Sequence, residues 1–270
     1  MISAVAFDLD DTLAHSKSPI SSEMATLLMD LVRLVPVCII SGGRYEQFED
    51  QLLRRLPDGA DSLFDLHLMP TCGTRYYRYE SDGWVLVYAE DLDEYAKIAA
   101  FAAIESEAKR LGLWEQDSDV FGSRIEDRGS QITYSALGQE APVQLKKTWD
   151  PNGRKREKLR KSIQRRLPDL EVRSGGSTSI DITRKGIDKA FGMREFAKIL
   201  NVSYQEILFI GDRLEPGGND YPVVPLGLIT RSVANCEETE ALLPQLISEV
   251  RETQVESGTR RAVSRSEQSR

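Results

Sequence analysis

Short runs of consecutive apolar residues alternate along the chain with stretches in which apolar residues recur at helical spacing. Ile2 and the run Ala4, Val5, Ala6, Phe7 read as a short buried strand. Ser21 then reads as a helix N-cap, and residues 22–34 as an amphipathic helix with Met24, Leu27, Leu28, Leu31 and Leu34 on one face. The apolar run at 35–40 is a second strand, and 44–56 a second helix closed by Pro57-Asp58-Gly59. A third strand follows at 63–69, then a loop at 70–74. This alternation predicts an α/β protein with a parallel, doubly wound, Rossmann-like sheet.

From Arg75 the rhythm changes. Tyr76, Tyr77 and Tyr79, the turn residues Ser81-Asp82-Gly83 and the run 84–88 read as a β-hairpin in which the tyrosines pack. A helix at 93–111, strands at 123–127 and 131–136, a charged helix at 152–166 and strands at 170–173 and 178–183 follow. Antiparallel strands with two helices predict a separate α+β domain inserted into the first. The doubly wound pattern resumes with a helix at 189–200, a strand at 207–210 and a helix at 237–250. The expected division is therefore a discontinuous core at 1–84 and 187–250, an insertion at 85–186, and a disordered tail at 251–270 rich in Ser, Arg, Glu and Gln.

Composition narrows the function. The 270 residues are 40% hydrophobic and 29% charged, as in soluble globular proteins. No apolar run approaches the ~18 residues of a membrane helix, so no membrane partner is expected. Asp8 arrives too early for a secretory apolar segment, and the expected compartment is the cytoplasm. Cys38, Cys72 and Cys236 are widely spaced, which argues against a disulfide framework or a zinc cluster, and Cys38 reads as core. Two histidines, His15 and His67, leave little for a Ser-His-Asp triad. The net charge of −8 disfavours nucleic acid, so the basic run from Arg154 to Arg166 reads as a solvated helix face.

Chemistry collects at strand ends. The first strand terminates in Asp8, Asp10 and Asp11. Burying such carboxylates unpaired costs on the order of several kcal/mol. The strand therefore reads as delivering them to the mouth of the sheet, where open α/β sheets bind ligands. By itself Asp-x-Asp is as well explained by an Asp-rich turn. Three other stretches answer to it: Ser41-Gly42-Gly43-Arg44 after the second strand, Gly186-Ile187-Asp188-Lys189 after Ser179-Ile180-Asp181-Ile182, and Gly211-Asp212 leading to Pro216-Gly217-Gly218-Asn219-Asp220. As a set, these resemble the haloacid dehalogenase superfamily of phosphotransferases. The long final loop is similar to that of its phosphomannomutase branch. The resemblance spans roughly residues 2–245, and the insertion matches that branch's cap in place and size.

The resemblance implies a role for each residue. Asp8 is the nucleophile, forming an aspartyl-phosphate. Asp10 is general acid and then base, with its backbone carbonyl toward the metal. Mg²⁺ is the implied cofactor, with Asp8 and Asp212 as side-chain ligands and Asp220 behind them or acting through water. Lys189 bridges Asp8 and the phosphoryl oxygens, in preference to Lys185. Ser41 and the Gly42 and Gly43 amides can donate to the phosphoryl group, although Ser41 also reads as a helix N-cap. In the insertion Arg128 and Lys146, with Lys17 from the core, grip the substrate's phosphate, and Ser179 and Asp181 touch sugar hydroxyls. Two departures stand out: Gln139 occupies a position where the branch carries arginine, and Asp11 a position where glycine is usual. Losing the arginine weakens a clamp that a mutase needs for a bisphosphorylated intermediate. The expected activity is thus Mg²⁺-dependent hydrolysis of a small phosphorylated sugar or related metabolite. Phosphomannomutase-type interconversion of hexose 1- and 6-phosphates comes second, and a non-catalytic sugar-phosphate or RNA-binding role third. A homodimer is allowed for, and no nucleic-acid partner is expected.

Overall fold

A computed structural model describes residues 2–57 and 60–267, with side chains described for 2–57 and 63–254. The chain divides into two compact units, Met1–Val87 with Lys189–Arg270, and Tyr88–Asp188. The second unit ends at Tyr88 and Asp188, where the sequence expectation put 85 and 186.

In the first unit β1 (Ala4–Asp8), α1 (Ser22–Val32), β2 (Val37–Ile40), α2 (Tyr45–Gln51), β3 (Leu66–Met69), a four-residue turn α3 (Pro70–Gly73), β4 (Arg75–Glu80) and β5 (Gly83–Ala89) follow in order. Apolar runs without a polar alternate face suit strands buried on both sides, and β1, β2 and β3 are buried throughout. Ser21 caps α1 by accepting from the Met24 amide at 2.8 Å. The face of α1 that carries Met24, Leu28 and Leu31 joins Phe7 and Ile39 in one apolar cluster, with Leu243 and Leu246 from near the C-terminus. Each such side chain contributes about 1.5–3 kcal/mol on burial.

In the second unit α4 (Glu94–Arg110), β6 (Ile125–Asp127), β7 (Gln131–Ser135), α5 (Val143–Trp149), α6 (Arg154–Arg166), β8 (Leu170–Ser174) and β9 (Ser179–Arg184) form a sheet ordered β6-β7-β9-β8 with helices on one face. All three pairings are antiparallel. Ile132, Tyr134, Val172, Ile180 and Ile182 cluster with Ala100 and Ile104 of α4 and with Leu159 and Ile163 of α6. The alternate residues, Glu126, Thr133 and Asp181, stand in register on the other, polar face. Most basic residues of α6 are exposed, whereas Arg156 and Arg160 are half-buried and paired with Asp150 and Glu157, and Glu157 also holds Lys161.

The first unit resumes with α7 (Lys189–Leu200), β10 (Ile207–Gly211), β11 (Ile229–Ser232) and α8 (Cys236–Glu267). Its sheet is ordered β11-β10-β1-β2-β3-β4-β5, parallel from β11 to β3 and antiparallel where β4 meets β3. The chain leaves β1 for β2 on one side and places β10 on the other, so β1 lies at the topological switch point. Asp8 is level with Ile40, just before Ser41, and Phe7 with Ile210, just before Gly211. The ends of three adjacent strands thus deliver Asp8, Ser41 and Asp212 to one edge.

Several local expectations are corrected. The helix expected at 44–56 ends at Gln51 and gives way to a 3₁₀ turn, Leu53–Arg55, because Leu52 leaves helical geometry. Pro57 precedes residues outside the described set. The loop at 70–74 is a tight turn in which Thr71 and Cys72 both have positive φ (50° and 57°). That is costly for non-glycine residues. It is held by the Thr71 amide donating to Gly43 O at 2.9 Å and the Cys72 amide to Ser41 O at 2.9 Å. α5 and β11 were not expected: α5 buries none of its residues and all four of β11 are exposed, so neither carries an apolar period. The backbone of α8 runs on through residues assigned to a disordered tail at 251–270. Side chains beyond 254, and residues 268–270, lie outside the described set.

Candidate active site

Asp8 ends β1 almost completely buried. Its Oδ1 accepts from the Leu9 amide at 2.7 Å and from Lys189 Nζ at 2.5 Å. Lys189, 1% exposed at the start of α7, also donates to Asp220 Oδ1 at 2.6 Å. Asp220 Oδ2 accepts from the Arg213 amide at 3.1 Å. One ammonium thus sits between two buried carboxylates, with a third, Asp212, close by. Burial works against the Lys189 charge, but Asp220 and Asp8 outweigh it and hold its pKa above the ordinary lysine value. Burial also lifts Asp8 well above the usual carboxylate range; Lys189 opposes the shift and Asp220 adds to it. Asp212 rises to about 6, first through burial and then through the Asp220 charge.

This donor set fits a hard divalent cation. Asp8, Asp212 and Asp220 each offer an oxygen within 4.8 Å of the others, and oxygen-only ligation suits Mg²⁺. Three carboxylates stand against one ammonium, and the Asp220 charge adds to the burial that raises Asp8 and Asp212. Both oxygens of Asp220 are already engaged, so Asp8 and Asp212 are the side chains placed to hold such an ion.

Asp10, whose charge also acts on Asp8, is held by partners of its own. Its Oδ2 accepts from Gln47 Nε2 at 2.8 Å, and its Oδ1 from the Lys17 amide at 2.9 Å and Gln51 Nε2 at 3.3 Å. Gln51 also donates to Ser18 O at 2.9 Å. Sequence reasoning missed both glutamines. The available signal was their i, i+4 spacing on the helix that follows Ser41-Gly42-Gly43, which places both amides on one face. A Cβ at Gly43 would lie 2.1 Å from Gln47 Oε1, so glycine there makes room for that side chain. Removing Gln47 and Gln51 together as alanines should lower kcat about 10- to 100-fold by loosening Asp10, with KM little changed. An unaltered kcat in steady-state assays would show that Asp10 needs no such support.

The remaining expected residues distribute as follows. Ser41 Oγ accepts from the Gly43 amide at 3.0 Å. Ser41 is not the cap of α2, because Arg44 occupies the N-cap position. Gly42 has open space where a Cβ would stand. Lys17 is exposed at a positive φ of 58°, and its amide serves Asp10. Lys185 is exposed, in contrast to Lys189. Asp11 adopts a positive φ of 60°, which accounts for the usual glycine, and its Oδ1 accepts from the Ser16 amide at 3.1 Å. On the polar face of the second unit, Asp181 Oδ1 accepts from Thr133 Oγ1 at 2.8 Å and Gln131 Nε2 at 3.0 Å. Burial raises the Asp181 pKa against the Arg128 charge. Arg128 pairs with Glu126 at 2.7 Å. Lys146 Nζ donates to Gln139 O at 2.8 Å. Ser179 faces Ser135 across β7 and β9.

Comparison with known proteins adds to this geometry. The family model for eukaryotic phosphomannomutase matches residues 118–249. The phosphomannomutase of Schizosaccharomyces pombe is 27% identical over 259 residues, covering 90% of this chain and 94% of that protein. That of Saccharomyces cerevisiae is 26% identical over 252 residues, covering 90% and 94%. Among solved structures, IMP-bound Plasmodium falciparum IMP-nucleotidase superposes with a TM-score of 0.66 at 17% identity, covering 92% of this chain and 68% of that one. A haloacid dehalogenase-like hydrolase from Bacteroides thetaiotaomicron gives 0.61 at 14% identity, covering 91% and 100%. At such identities the structural likeness speaks for the fold.

Proposed function

We propose that the chain is a phosphomannomutase-like phosphotransferase of the haloacid dehalogenase superfamily, which interconverts hexose 1- and 6-phosphates through an aspartyl-phosphate on Asp8. The observation that carries the phosphotransfer chemistry is the buried Asp8–Lys189–Asp220 array at the switch point, with Asp10 held on the same loop by separate partners. The sequence alone ranked hydrolysis first. Curated relatives that are phosphomannomutases over most of their length weigh toward the mutase.

Asp8 Oδ1 is held by Lys189 and the Leu9 amide, which leaves Oδ2 to attack phosphorus. As the Oδ2–P bond forms, the bond from phosphorus to the sugar oxygen breaks, and protonated Asp10 gives that oxygen its proton. In the return step Asp10 takes a proton from a sugar hydroxyl. That hydroxyl oxygen attacks phosphorus and frees Asp8. Mg²⁺ held by Asp8 and Asp212 would offset the repulsion between carboxylate and phosphoryl oxygens. Lys189 contributes a fixed positive charge at the same place. Within the second unit, Arg128 and Lys146 are cations of the kind that bind phosphate, and Asp181 and Ser179 are groups of the kind that pair with sugar hydroxyls.

A coupled assay tests the proposal. Hexose 1-phosphate should convert to the 6-phosphate in a reaction dependent on hexose 1,6-bisphosphate. Phosphate release without interconversion would overturn the mutase in favour of a hydrolase. That second reading rests on one observation, neutral Gln139 where the branch carries arginine. Gln139→Arg should accordingly raise the ratio of interconversion to phosphate release.

Metal dependence should follow pH. Asp212, with its pKa near 6, takes up a proton as pH falls through that value, and the proton competes with the metal. The Mg²⁺ concentration for half-maximal rate should climb about tenfold per pH unit below 6 and stay flat from 7 to 8. A titration series showing no such climb would remove Asp212 from the metal's ligands.

A further inference from the structure

A second cluster of ligand-type side chains lies on the first unit, outside the array of Asp8, Asp212 and Asp220. His15 belongs to the loop that carries Asp10, Asp11 and Lys17, and Cys236 and Glu237 form the first turn of α8. His15 Nε2 stands 2.9 Å from Glu237 Oε1, and Cys236 Sγ 3.5 Å from Glu237 Oε2. One ligand atom from each lies within 4.8 Å of the other two. Two segments more than two hundred residues apart in sequence thus bring an imidazole, a thiol and a carboxylate to one point.

From this juxtaposition of His15, Cys236 and Glu237 we infer a binding site for a zinc-class divalent cation, distinct from the magnesium-type array. Tetrahedral zinc takes sulfur at about 2.3 Å and nitrogen or oxygen at about 2.0–2.2 Å, which sets neighbouring ligand atoms about 3.5 Å apart. The observed 3.5 Å from Cys236 Sγ to Glu237 Oε2 matches that spacing and the 2.9 Å from His15 Nε2 to Glu237 Oε1 falls somewhat short of it, so side-chain rotations complete the set. Ligand chemistry separates the two places. Sulfur with imidazole selects zinc-class ions, whereas three carboxylates select a hard cation. Three protein ligands leave the fourth position to water. His15 and Glu237 are 65% and 60% exposed, so an ion has open access. The Asp11 charge also acts on the same thiol, as the smallest influence on it, and adds negative potential that draws a cation in.

The site has a structural consequence. The loop it anchors also delivers the Lys17 amide to Asp10. An ion at His15 fastens that loop to α8, which is already tied to the start of α1 by the Ser21–Glu240 contact. Occupancy therefore stiffens the segment that positions Asp10 and stabilises the folded unit by mass action.

Cobalt absorption spectroscopy tests the inference on the full chain, with thiols kept reduced by a phosphine and Mg²⁺ saturating so that the all-oxygen array is filled. Co²⁺ should produce a thiolate-to-cobalt charge-transfer band with intense tetrahedral visible bands, saturating at one equivalent. Added Zn²⁺ should displace both. Cys236→Ser should abolish the band, and Cys72→Ser should leave it. His15→Ala should weaken Co²⁺ binding by more than the about 10- to 100-fold that loss of an outer-shell partner costs. Absence of the band, its survival in Cys236→Ser, or unchanged affinity in His15→Ala would each overturn the site. Because the readout is metal binding, its failure would leave the phosphotransfer proposal untouched.

Discussion

Asp8→Asn should lower turnover by about 10⁴-fold or more, the scale seen when a covalent nucleophile is removed, while leaving the fold intact. The amide is nearly isosteric, and its oxygen can still accept from the Leu9 amide and Lys189. Both contacts of that oxygen are kept. What disappears is the attacking oxygen's charge, which burial already disfavours. Lys189 keeps Asp220 as its counter-charge, so stability should hold within about 1 kcal/mol of the parent or improve. Steady-state rates and a urea melt on the same sample separate the two effects. Activity within tenfold of the parent would reject Asp8 as nucleophile, and a cooperative melt would show that lost activity is chemical.

Lys189→Met should do the opposite to stability. The ammonium is the shared partner of Asp8 and Asp220, at 2.5 and 2.6 Å, and all three groups are buried. Removing it strands two carboxylates, which costs on the order of 3–5 kcal/mol at neutral pH. The sign with pH follows. Asp8 is already raised by burial even with Lys189 opposing, and the variant raises it further. A carboxyl whose folded pKa exceeds its unfolded value favours folding only while it is protonated. The variant's deficit should therefore shrink as pH falls from 7 toward 5, and Mg²⁺ should restore part of it by replacing the lost positive charge. Urea melts at both pH values, with and without Mg²⁺, decide this. A deficit below about 1 kcal/mol that does not change with pH would mean that Lys189 is not the counter-charge of the pair.

These two variants also show where sequence reading reaches and where it stops. Asp8 was legible because an unbroken apolar run ends in it, and charge at the end of a fully buried strand has few places to go but the edge of the sheet. Lys189 was legible as a type, a lysine opening a helix after Gly186. Its bond to Asp220 was not, because packing joins the start of α7 to a loop 31 residues further on. The pairing also bears on the expectation that Asp220 stands behind the ion or acts through water, because its two oxygens serve Lys189 and the Arg213 amide. Gln47 and Gln51 went unread because a polar helix face looks solvated until the loop carrying Asp10 is laid across it.

The sequence by itself determined the parallel core, the inserted α+β unit as a change of strand rhythm, and the residue types at each strand end, because burial imposes a period that the chain must write into its side chains. Elements without a fully buried residue, α5 and β11, left no such record. The tertiary structure alone decided which carboxylate meets Lys189, what holds Asp10, the left-handed turn at Thr71 and Cys72, and the meeting of His15 with Cys236. Contacts of this kind depend on the angle at which separate segments arrive, and no local pattern of apolar and polar residues encodes an angle between distant parts of a chain.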